Sequence, residues 1–278
     1  MDINTTKKLN NGVEIPLLGF GVYQAKEGEE AVNAVRWALE AGYRHIDTAA
    51  VYQNEESVGR AIIESGIPRD KIFLTTKLWN DDMRKGRQKE AFEESLKRLK
   101  TDYVDLYLIH WPVAGKYKES WKVLEELYQS GKVRAIGVSN FHKSHLDDLL
   151  ADAKVVPAVN QVECHPWLNQ EPLFDYCNKL NIAFEAWSPR CGTGTGKALL
   201  NDERLKAIAA KYNKSAAQVI LRWDLQRGII TIPKSVHKER IFANTDIFDF
   251  ELSKEDMSII NEMNENKRVG PDPDNFNF

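Results

Sequence analysis

The chain has 278 residues, of which 42% are hydrophobic and 28% are charged, and its net charge is −3 at neutral pH. This composition is typical of a soluble globular protein, and the length allows one large domain or two of ordinary size. Without a basic excess or a long apolar run, the sequence argues against nucleic-acid binding and against a membrane span.

The first predicted element is a β-hairpin over residues 8–16, because Asn11-Gly12 favours a two-residue turn. An apolar run over residues 17–22 follows as a candidate buried strand. Further on, helices with apolar spacing alternate with short apolar strands. The predicted helices cover 29–40, 55–65, 88–99, 121–130, 142–150, 172–180, 203–212, 216–227 and 238–244. The predicted strands cover 43–47, 72–78, 104–110, 135–139, 158–162, 182–187 and 228–232.

This alternation predicts parallel strands covered by helices. Eight strand–helix units in roughly 250 residues suit a closed (β/α)8 barrel, which we predict as a single domain over residues 1–278. An open doubly wound sheet is disfavoured, because no strand leads into Gly-x-Gly-x-x-Gly at the start of a helix. One more helix is predicted over 253–263, and Asn54 is predicted to cap the helix that starts at residue 55. The tail, 264–278, is predicted to be extended, and either loose or laid across the barrel mouth.

Cysteine and histidine spacing indicates neither a disulfide framework nor a metal site. The three cysteines, Cys164, Cys177 and Cys191, have no Cys-x-x-Cys spacing, which favours a reducing compartment. His142 and His145 lie on a predicted surface helix, where a solvated face is the better interpretation. The polar N-terminus lacks an apolar signal segment. We therefore expect a cytoplasmic protein without a metal, and a monomer, because no apolar surface element stands out.

Polar residues end the predicted strands, and parallel strands of a barrel direct such residues to one shared mouth. Taken singly, each could be an ordinary loop residue. Lys77 is the most informative, because it follows an apolar strand and a buried ammonium needs a partner, for which Asp47 is the obvious candidate. Tyr52, in the loop after 43–47, could be a general acid if its pKa were lowered from about 10 toward neutrality. Other polar strand ends are His110, Ser139, Asn140 and Gln161.

Five longer motifs carry a more specific signal, namely residues 42–49, 104–112, 135–141, 160–166, and 232–235 followed by Arg240. In this order they make the chain resemble the aldo-keto reductase superfamily over essentially its whole length. The resemblance is closest to the short-chain branch that includes 2,5-diketogluconate reductases and protozoan prostaglandin F synthase. It implies NADPH-dependent reduction of aldehydes or ketones, or alternatively a non-catalytic NADP(H)-binding or structural protein on the same fold.

The resemblance places a catalytic tetrad on Asp47, Tyr52, Lys77 and His110. It implies that Tyr52 donates a proton to the carbonyl oxygen while Lys77, held by Asp47, lowers the pKa of the phenol. His110 would orient the carbonyl, and the bound NADPH would supply a hydride. The intact tetrad argues against the non-catalytic alternative.

The implied cofactor site has a nicotinamide end and a phosphate end. Trp187 would stack on the nicotinamide, at a position where the family commonly has tyrosine. Lys234 and Arg240 would hold the adenosine 2′-phosphate, which favours NADPH over NADH, and Asn244 would contact the adenine. The complete implied cofactor set is Gly21, Val22, Asp47, Ser139, Asn140, Gln161, Trp187, Ser188, Lys234, Ser235, Arg240 and Asn244.

Two loops at the mouth depart from the family pattern. After Ser188-Pro189 the family usually has leucine, whereas this chain has Arg190 at the start of a glycine-rich, basic loop, 190–197. That loop is either a flexible clamp over the pyrophosphate or a disordered surface loop. The loop 113–118 is short, so we expect an open pocket with an apolar wall and room for varied carbonyl compounds. The implied substrate contacts are Tyr23, Tyr52, Trp79, His110 and Trp111.

Overall fold

Ten strands occur in the computed structural model, which describes residues 1–192 and 195–278. They are β1 (Thr6–Lys8), β2 (Glu14–Pro16), β3 (Phe20–Gly21), β4 (His45–Asp47), β5 (Phe73–Leu78), β6 (Val104–Ile109), β7 (Val133–Ser139), β8 (Val159–Glu163), β9 (Ala183–Trp187) and β10 (Ile230–Thr231). From β3 to β10 each strand pairs in parallel with the next. Leu18 bridges Thr231, and the amide of Gly19 donates to the carbonyl of Thr231 at 2.9 Å, which closes the sheet. The predicted (β/α)8 barrel is confirmed.

Helices pack around the outside of the barrel. They are α1 (Glu29–Glu40), α2 (Glu55–Glu64), α3 (Asn80–Lys85), α4 (Gln88–Leu99), α5 (Tyr117–Gln129), α6 (Lys143–Leu150), α7 (Glu171–Lys179), α8 (Gly196–Leu200), α9 (Glu203–Tyr212), α10 (Ala216–Gln226), α11 (Lys238–Ala243) and α12 (Lys254–Asn261). In α1 the apolar residues at helical spacing, among them Val32, Val35 and Leu39, are all buried. None of the helices that the structure describes is long and apolar enough to cross a bilayer.

The N-terminal hairpin is present, but its turn differs from the prediction. β1 and β2 are antiparallel, and Leu9 pairs with Val13 through its amide at 2.8 Å, so the loop has three residues rather than two. Only Gly12 has a positive φ, of 88°. The amide side chain of Asn11 donates instead to the carbonyl of Arg134 at 2.9 Å, which fixes the hairpin to the start of β7.

Three local predictions are corrected by the structure. The short helices α3 and α8 were not predicted, although Asp81 near the start of α3 and Lys85 at its end complement the helix dipole. Helix α5 begins at Tyr117, four positions before its predicted start. Asn54 occupies the position before α2, but its side chain does not cap that helix. It donates instead to the carbonyls of Val22 and Ala25, because those buried groups need a partner.

Candidate active site

The centre of the site is a buried ion pair at the carboxyl ends of β4 and β5. Nζ of Lys77 donates to Oδ1 of Asp47 at 2.6 Å and to the carbonyl oxygen of Thr48 at 2.9 Å. Neither charged side chain is more than 3% exposed. Burial acts to lower the pKa of Lys77, but the charge of Asp47 and the other neighbouring groups outweigh it and leave the pKa above its usual value. Lys77 is therefore a fixed cation with one further N–H to donate.

Tyr52 lies in a single 3₁₀ turn, Ala50–Tyr52, directly after β4. Its ring centre is 5.1 Å from Nζ of Lys77 and 5.7 Å from the ring centre of His110. Burial raises the pKa of Tyr52 to about 12, although Lys77 acts in the lowering direction. Burial therefore opposes the lowering of this pKa that Lys77 is expected to cause. The phenol keeps its proton throughout the neutral range, which is the state that a proton donor requires.

His110 follows β6 and faces the same mouth. Burial, followed by the positive charge of Lys77, holds the pKa of His110 well below its usual value. The imidazole is therefore neutral and can donate a single N–H. Its Nδ1 is buried with no hydrogen-bond partner among the residues described. Its carbonyl oxygen accepts from Nδ2 of Asn140 at 3.0 Å, which joins the histidine to the next strand.

The residues predicted to hold the carboxamide form one hydrogen-bonded group across β7, β8 and β9. Nδ2 of Asn140 donates to Oγ of Ser139 at 3.1 Å, and that hydroxyl donates to the carbonyl of Gln161 at 2.8 Å. Nε1 of Trp187 donates to Oδ1 of Asn140 at 2.8 Å, which fixes the plane of the indole. Nε2 of Gln161 donates to Oδ2 of Asp47 at 2.8 Å. The group is therefore joined directly to the buried ion pair.

Three of the predicted cofactor residues, Gly21, Val22 and Ser188, lie at the carboxyl ends of β3 and β9. Gly21 donates its amide to the carbonyl of Pro233 at 3.1 Å, and a Cβ on this glycine would lie 3.2 Å from a carbonyl oxygen. Val22 is buried and donates its amide to the carbonyl of Asp47 at 3.1 Å. Ser188 has a φ of 54°, which turns the chain outward after β9.

A cluster of cations lies beyond β10. Arg190 donates through its guanidinium to the carbonyl of Lys234 at 2.7 Å. Burial, followed by the charge of Arg240, lowers the pKa of Arg190, and burial also lowers that of Lys234. No salt bridge is formed by any of the three among the described residues, although Glu30 acts on Lys234 in the direction that raises its pKa. Such unpaired, mutually repelling cations favour binding of an anion.

Two buried polar residues adjoin this cation cluster in sequence. Ser235 is 5% exposed, and its hydroxyl accepts from the amide of His237 at 3.1 Å. Asn244, after α11, is 3% exposed, and its Nδ2 has no hydrogen-bond partner in the described part of the chain. A buried amide without a partner is uncommon in folded proteins. This donor fits the predicted contact with a base.

The glycine-rich loop 190–197 is only partly described, because residues 193 and 194 lie outside the described ranges. Its last two residues begin α8. A Cβ on Gly196 would lie only 2.2 Å from the carbonyl oxygen of Arg190, so the start of the helix packs directly against the start of the loop. A glycine is required at this contact.

Three aromatic side chains bring apolar surface to the mouth. The ring of Tyr23 lies 5.0 Å from that of Tyr52 and is 57% exposed. The ring of Trp79 lies 5.3 Å from that of His110. Trp111, directly after His110, is buried. An apolar wall beside a few hydrogen-bond donors suits a small carbonyl compound.

The C-terminal tail covers part of this wall. Phe278 stacks in parallel on Trp79, with ring centres 6.0 Å apart. Phe276 and Phe278 each lie 5.2 Å from Trp111. The connection between β6 and α5 is short, as the sequence indicates, but these phenylalanines occupy the space beside it. The tail therefore covers part of the region where an open pocket is expected.

Glu163, at the end of β8, holds the tail in place. Its carboxylate accepts from the amides of Val269 at 2.7 Å and Gly270 at 3.1 Å. Gly270 then passes so close to Trp187 that a Cβ would lie 2.4 Å from the indole. Only glycine allows the tail to pass at this distance. The sequence did not indicate this contact, because the residues involved are about a hundred positions apart.

His142 and His145 also contact the tail. Nδ1 of His142 lies 2.6 Å from Asp274, and Nε2 of His145 lies 3.4 Å from it. The second nitrogen of each ring accepts a hydrogen bond, from Arg268 at 2.7 Å and from the amide of His142 at 3.1 Å respectively. The nitrogens facing Asp274 therefore carry the protons, which does not suit metal ligation. The predicted solvated face is wrong, since both rings are half-buried anchors.

Comparisons with known proteins give one consistent result. Residues 17–265 match the model of the Aldo/keto reductase family. A glyoxal reductase of Bacillus subtilis is 55% identical over 276 residues, covering 99% of each chain. A 9,11-endoperoxide prostaglandin H2 reductase of Trypanosoma cruzi is 53% identical, covering 96% of this chain and 94% of its own. The crystal structure of a Bombyx mori aldo-keto reductase in complex with NADP has a TM-score of 0.90 at 42% identity, covering 99% and 97% of the two chains.

Proposed function

Because this chain belongs to the aldo/keto reductase family, we propose that it uses NADPH to reduce aldehydes or ketones to alcohols. The observation that carries the proposal is the buried Asp47–Lys77 pair beside a protonated Tyr52 and a neutral His110 at the barrel mouth. These side chains would be costly to bury together without a catalytic use. The same observation disfavours a non-catalytic cofactor-binding or structural role.

In this proposal the bound cofactor supplies a hydride to the carbonyl carbon. His110 donates its N–H to the carbonyl oxygen and orients it, and Tyr52 gives its phenolic proton to the oxygen as negative charge develops there. The fixed charge of Lys77 stabilises the phenolate that remains. Asp47 keeps Lys77 charged in its buried position, so the donors are aligned before substrate arrives.

Residues at both ends of the site fit NADPH. Asn140 and Gln161 would hold the carboxamide, and Trp187 would provide the stacking face. Lys234 and Arg240 would bind the 2′-phosphate, since burial and the charge of Arg190 lower the pKa of Lys234 although Glu30 acts in the raising direction, and an anion would relieve this repulsion. Asn244 would use its unpartnered Nδ2 to contact the adenine. The Bombyx mori aldo-keto reductase was crystallised in complex with NADP. We propose that this chain binds the same cofactor.

The direct test is the oxidation of NADPH, followed optically, with a panel of carbonyl compounds. Glyoxal is the first probe, because a close relative is a glyoxal reductase. We also propose that the protein is cytoplasmic and has no nucleic-acid partner. We further propose that it is a monomer, which sedimentation at several protein concentrations would test. Lack of NADPH oxidation across the whole panel, by a protein that binds NADPH, would favour the non-catalytic alternative.

Arg240→Ala is expected to weaken NADPH binding far more than NADH binding, because NADH has only a hydroxyl where NADPH has the 2′-phosphate. A charge-assisted contact contributes about 1.5–3 kcal/mol, so the dissociation constant for NADPH should rise roughly ten- to hundredfold. Arg240 is exposed, so the loss should shrink at high salt. Both constants can be measured by quenching of tryptophan fluorescence. Lys71→Ala is the control, since it removes an exposed cation from the opposite end of the barrel. Equal losses for both cofactors would contradict the assignment of Arg240.

Arg190→Leu tests whether Arg190, which stands where the family usually has leucine, takes part in cofactor binding. The substitution restores the usual family residue and removes the contact with the carbonyl of Lys234. We expect NADPH binding to weaken by roughly ten- to hundredfold, the range for a charged hydrogen bond. Competition with 2′-AMP and with pyrophosphate shows which phosphate Arg190 contacts. Unchanged affinities for NADPH and both competitors would exclude a role for Arg190.

A further inference from the structure

A second buried carboxyl group lies beneath the catalytic residues and has no part in the chemistry described so far. Glu185 is in the middle of β9 and is fully buried. It stands opposite Gln161 in the register of β8 and β9. Nε2 of Gln161 donates to Oε2 of Glu185 at 3.1 Å and, at the same time, to Oδ2 of Asp47 at 2.8 Å. A single amide nitrogen therefore joins this carboxyl group to the ion pair.

The charges in the barrel interior require one of the two carboxyl groups to be neutral. The titratable groups facing Glu185 are His45 and Asp47 from β4 and Lys77 from β5, while β8 contributes the uncharged Gln161. The hydrogen bonds of Lys77 go to Asp47 and a carbonyl, not to Glu185. His45, at 3.7 Å, is neutral, because burial lowers its pKa to about 3. An ionised Glu185 would be a buried charge without a hydrogen-bonded cation, since Lys77 is already paired with Asp47.

Two further observations agree with a neutral carboxylic acid. Oε1 of Glu185 has no hydrogen-bond partner in the described structure. A buried oxygen needs such a partner more strongly when its carboxyl group is ionised than when the group is a neutral acid. Burial, and then the charge of Asp47, raise the pKa of Glu185 to about 8, while Gln161 and Lys77 act in the opposite direction. The group therefore remains protonated near neutral pH.

We propose that Glu185 is a positioning residue, which in its neutral form holds Gln161 for the nicotinamide carboxamide and which slows carbonyl reduction when it ionises. The inference rests on the proposed function. Both amide hydrogens of Gln161 are directed at carboxyl oxygens, which leaves its Oε1 to accept from the carboxamide. Ionisation of Glu185 would add negative charge beside Asp47. That charge opposes formation of the phenolate that Tyr52 becomes after it gives up its proton.

The main experiment compares pH profiles of the single-turnover reduction of glyoxal at saturating NADPH, from pH 6 to pH 10. The wild type is expected to slow as pH rises through about 8. Glu185→Gln is a neutral isostere of the acid, so it should keep the wild-type rate near pH 7 to within about threefold and lose the alkaline decline. Glu185→Leu cannot accept from Gln161, and the KM for NADPH should rise roughly two- to tenfold. Glu125→Gln, another buried glutamate that lies on α5, should keep the wild-type profile.

Stability supplies a readout that does not depend on activity. Because the folded-state pKa of Glu185 exceeds that of an ordinary carboxyl, its contribution to stability is complete below about pH 4.5 and is lost as pH rises through about 8. The Tm of Glu185→Gln, relative to the wild type, should therefore rise between pH 5 and pH 8. Infrared difference spectra of wild type minus Glu185→Gln at pH 7 should contain the C=O stretch of a protonated carboxylic acid.

The outcomes separate this inference from the proposed function. The same alkaline decline in Glu185→Gln and wild type, or a more than tenfold lower rate of Glu185→Gln at pH 7, would overturn the positioning role. Absence of the carboxylic-acid band would overturn it even in an active enzyme. A band in a protein that reduces no carbonyl compound would support the neutral acid and overturn the proposed function instead.

Discussion

Tyr52→Phe should lower the single-turnover rate of carbonyl reduction by about 10²–10⁴-fold, the usual contribution of a general acid. The substitution removes the phenolic proton and leaves the ring in its place between Lys77 and His110. Binding of NADPH should change less than about twofold, because only the donor is lost. The test is the rate of NADPH oxidation in a stopped-flow instrument with enzyme in excess of cofactor.

Tyr103→Phe is the matched control for this experiment. Tyr103 lies just before β6, at the end of the barrel opposite the mouth, where its ring packs under Arg69. Loss of this hydroxyl should leave the rate unchanged. A wild-type rate for Tyr52→Phe would contradict the assignment of Tyr52 as proton donor, whatever the behaviour of the control.

The architecture could be predicted because it depends on short-range patterns. Strands such as β5 and β6 are short runs rich in apolar residues and buried throughout, and α1 has its apolar residues at helical spacing. Both patterns can be read without knowing any partner. Eight parallel strands are enough to close a barrel, so the first and last strands are expected to meet. The bridge between Leu18 and Thr231 is this contact.

What could not be predicted depends on partners that are distant in sequence. The sequence indicates that Lys77 acts to lower the pKa of Tyr52, but it does not indicate that the surroundings of the phenol act in the opposite direction. The side chain of Asn54 contacts carbonyls about thirty residues away instead of capping its helix. No sequence pattern around Gly270 predicts its close contact with the indole of Trp187. Glu185 is noticeable in the sequence as a charged residue inside an apolar strand. Its role could not be inferred without the position of Gln161, which is its hydrogen-bond partner.

Lys77→Met is expected to reduce both activity and stability. The variant loses the charge that stabilises the phenolate of Tyr52, so the rate of reduction should fall by at least about 10²-fold. It also leaves Asp47 as a buried charge without its cation. Breaking a buried pair in this way costs roughly 3–5 kcal/mol of the free energy of unfolding. Denaturant unfolding and NADPH oxidation measure the two effects on the same preparation.

Two further variants separate the stability effect from the catalytic one. Adding Asp47→Asn to Lys77→Met removes the stranded charge, so part of the stability should return while the activity stays low. Lys132→Met breaks an ion pair with Glu93 that is about half exposed, and such pairs contribute only about 0–1 kcal/mol. Its stability and activity should stay close to those of the wild type. A Lys77→Met protein as stable as Lys132→Met would show that the pair with Asp47 is not a buried charge interaction. An active one would show that Lys77 does not support the proton transfer.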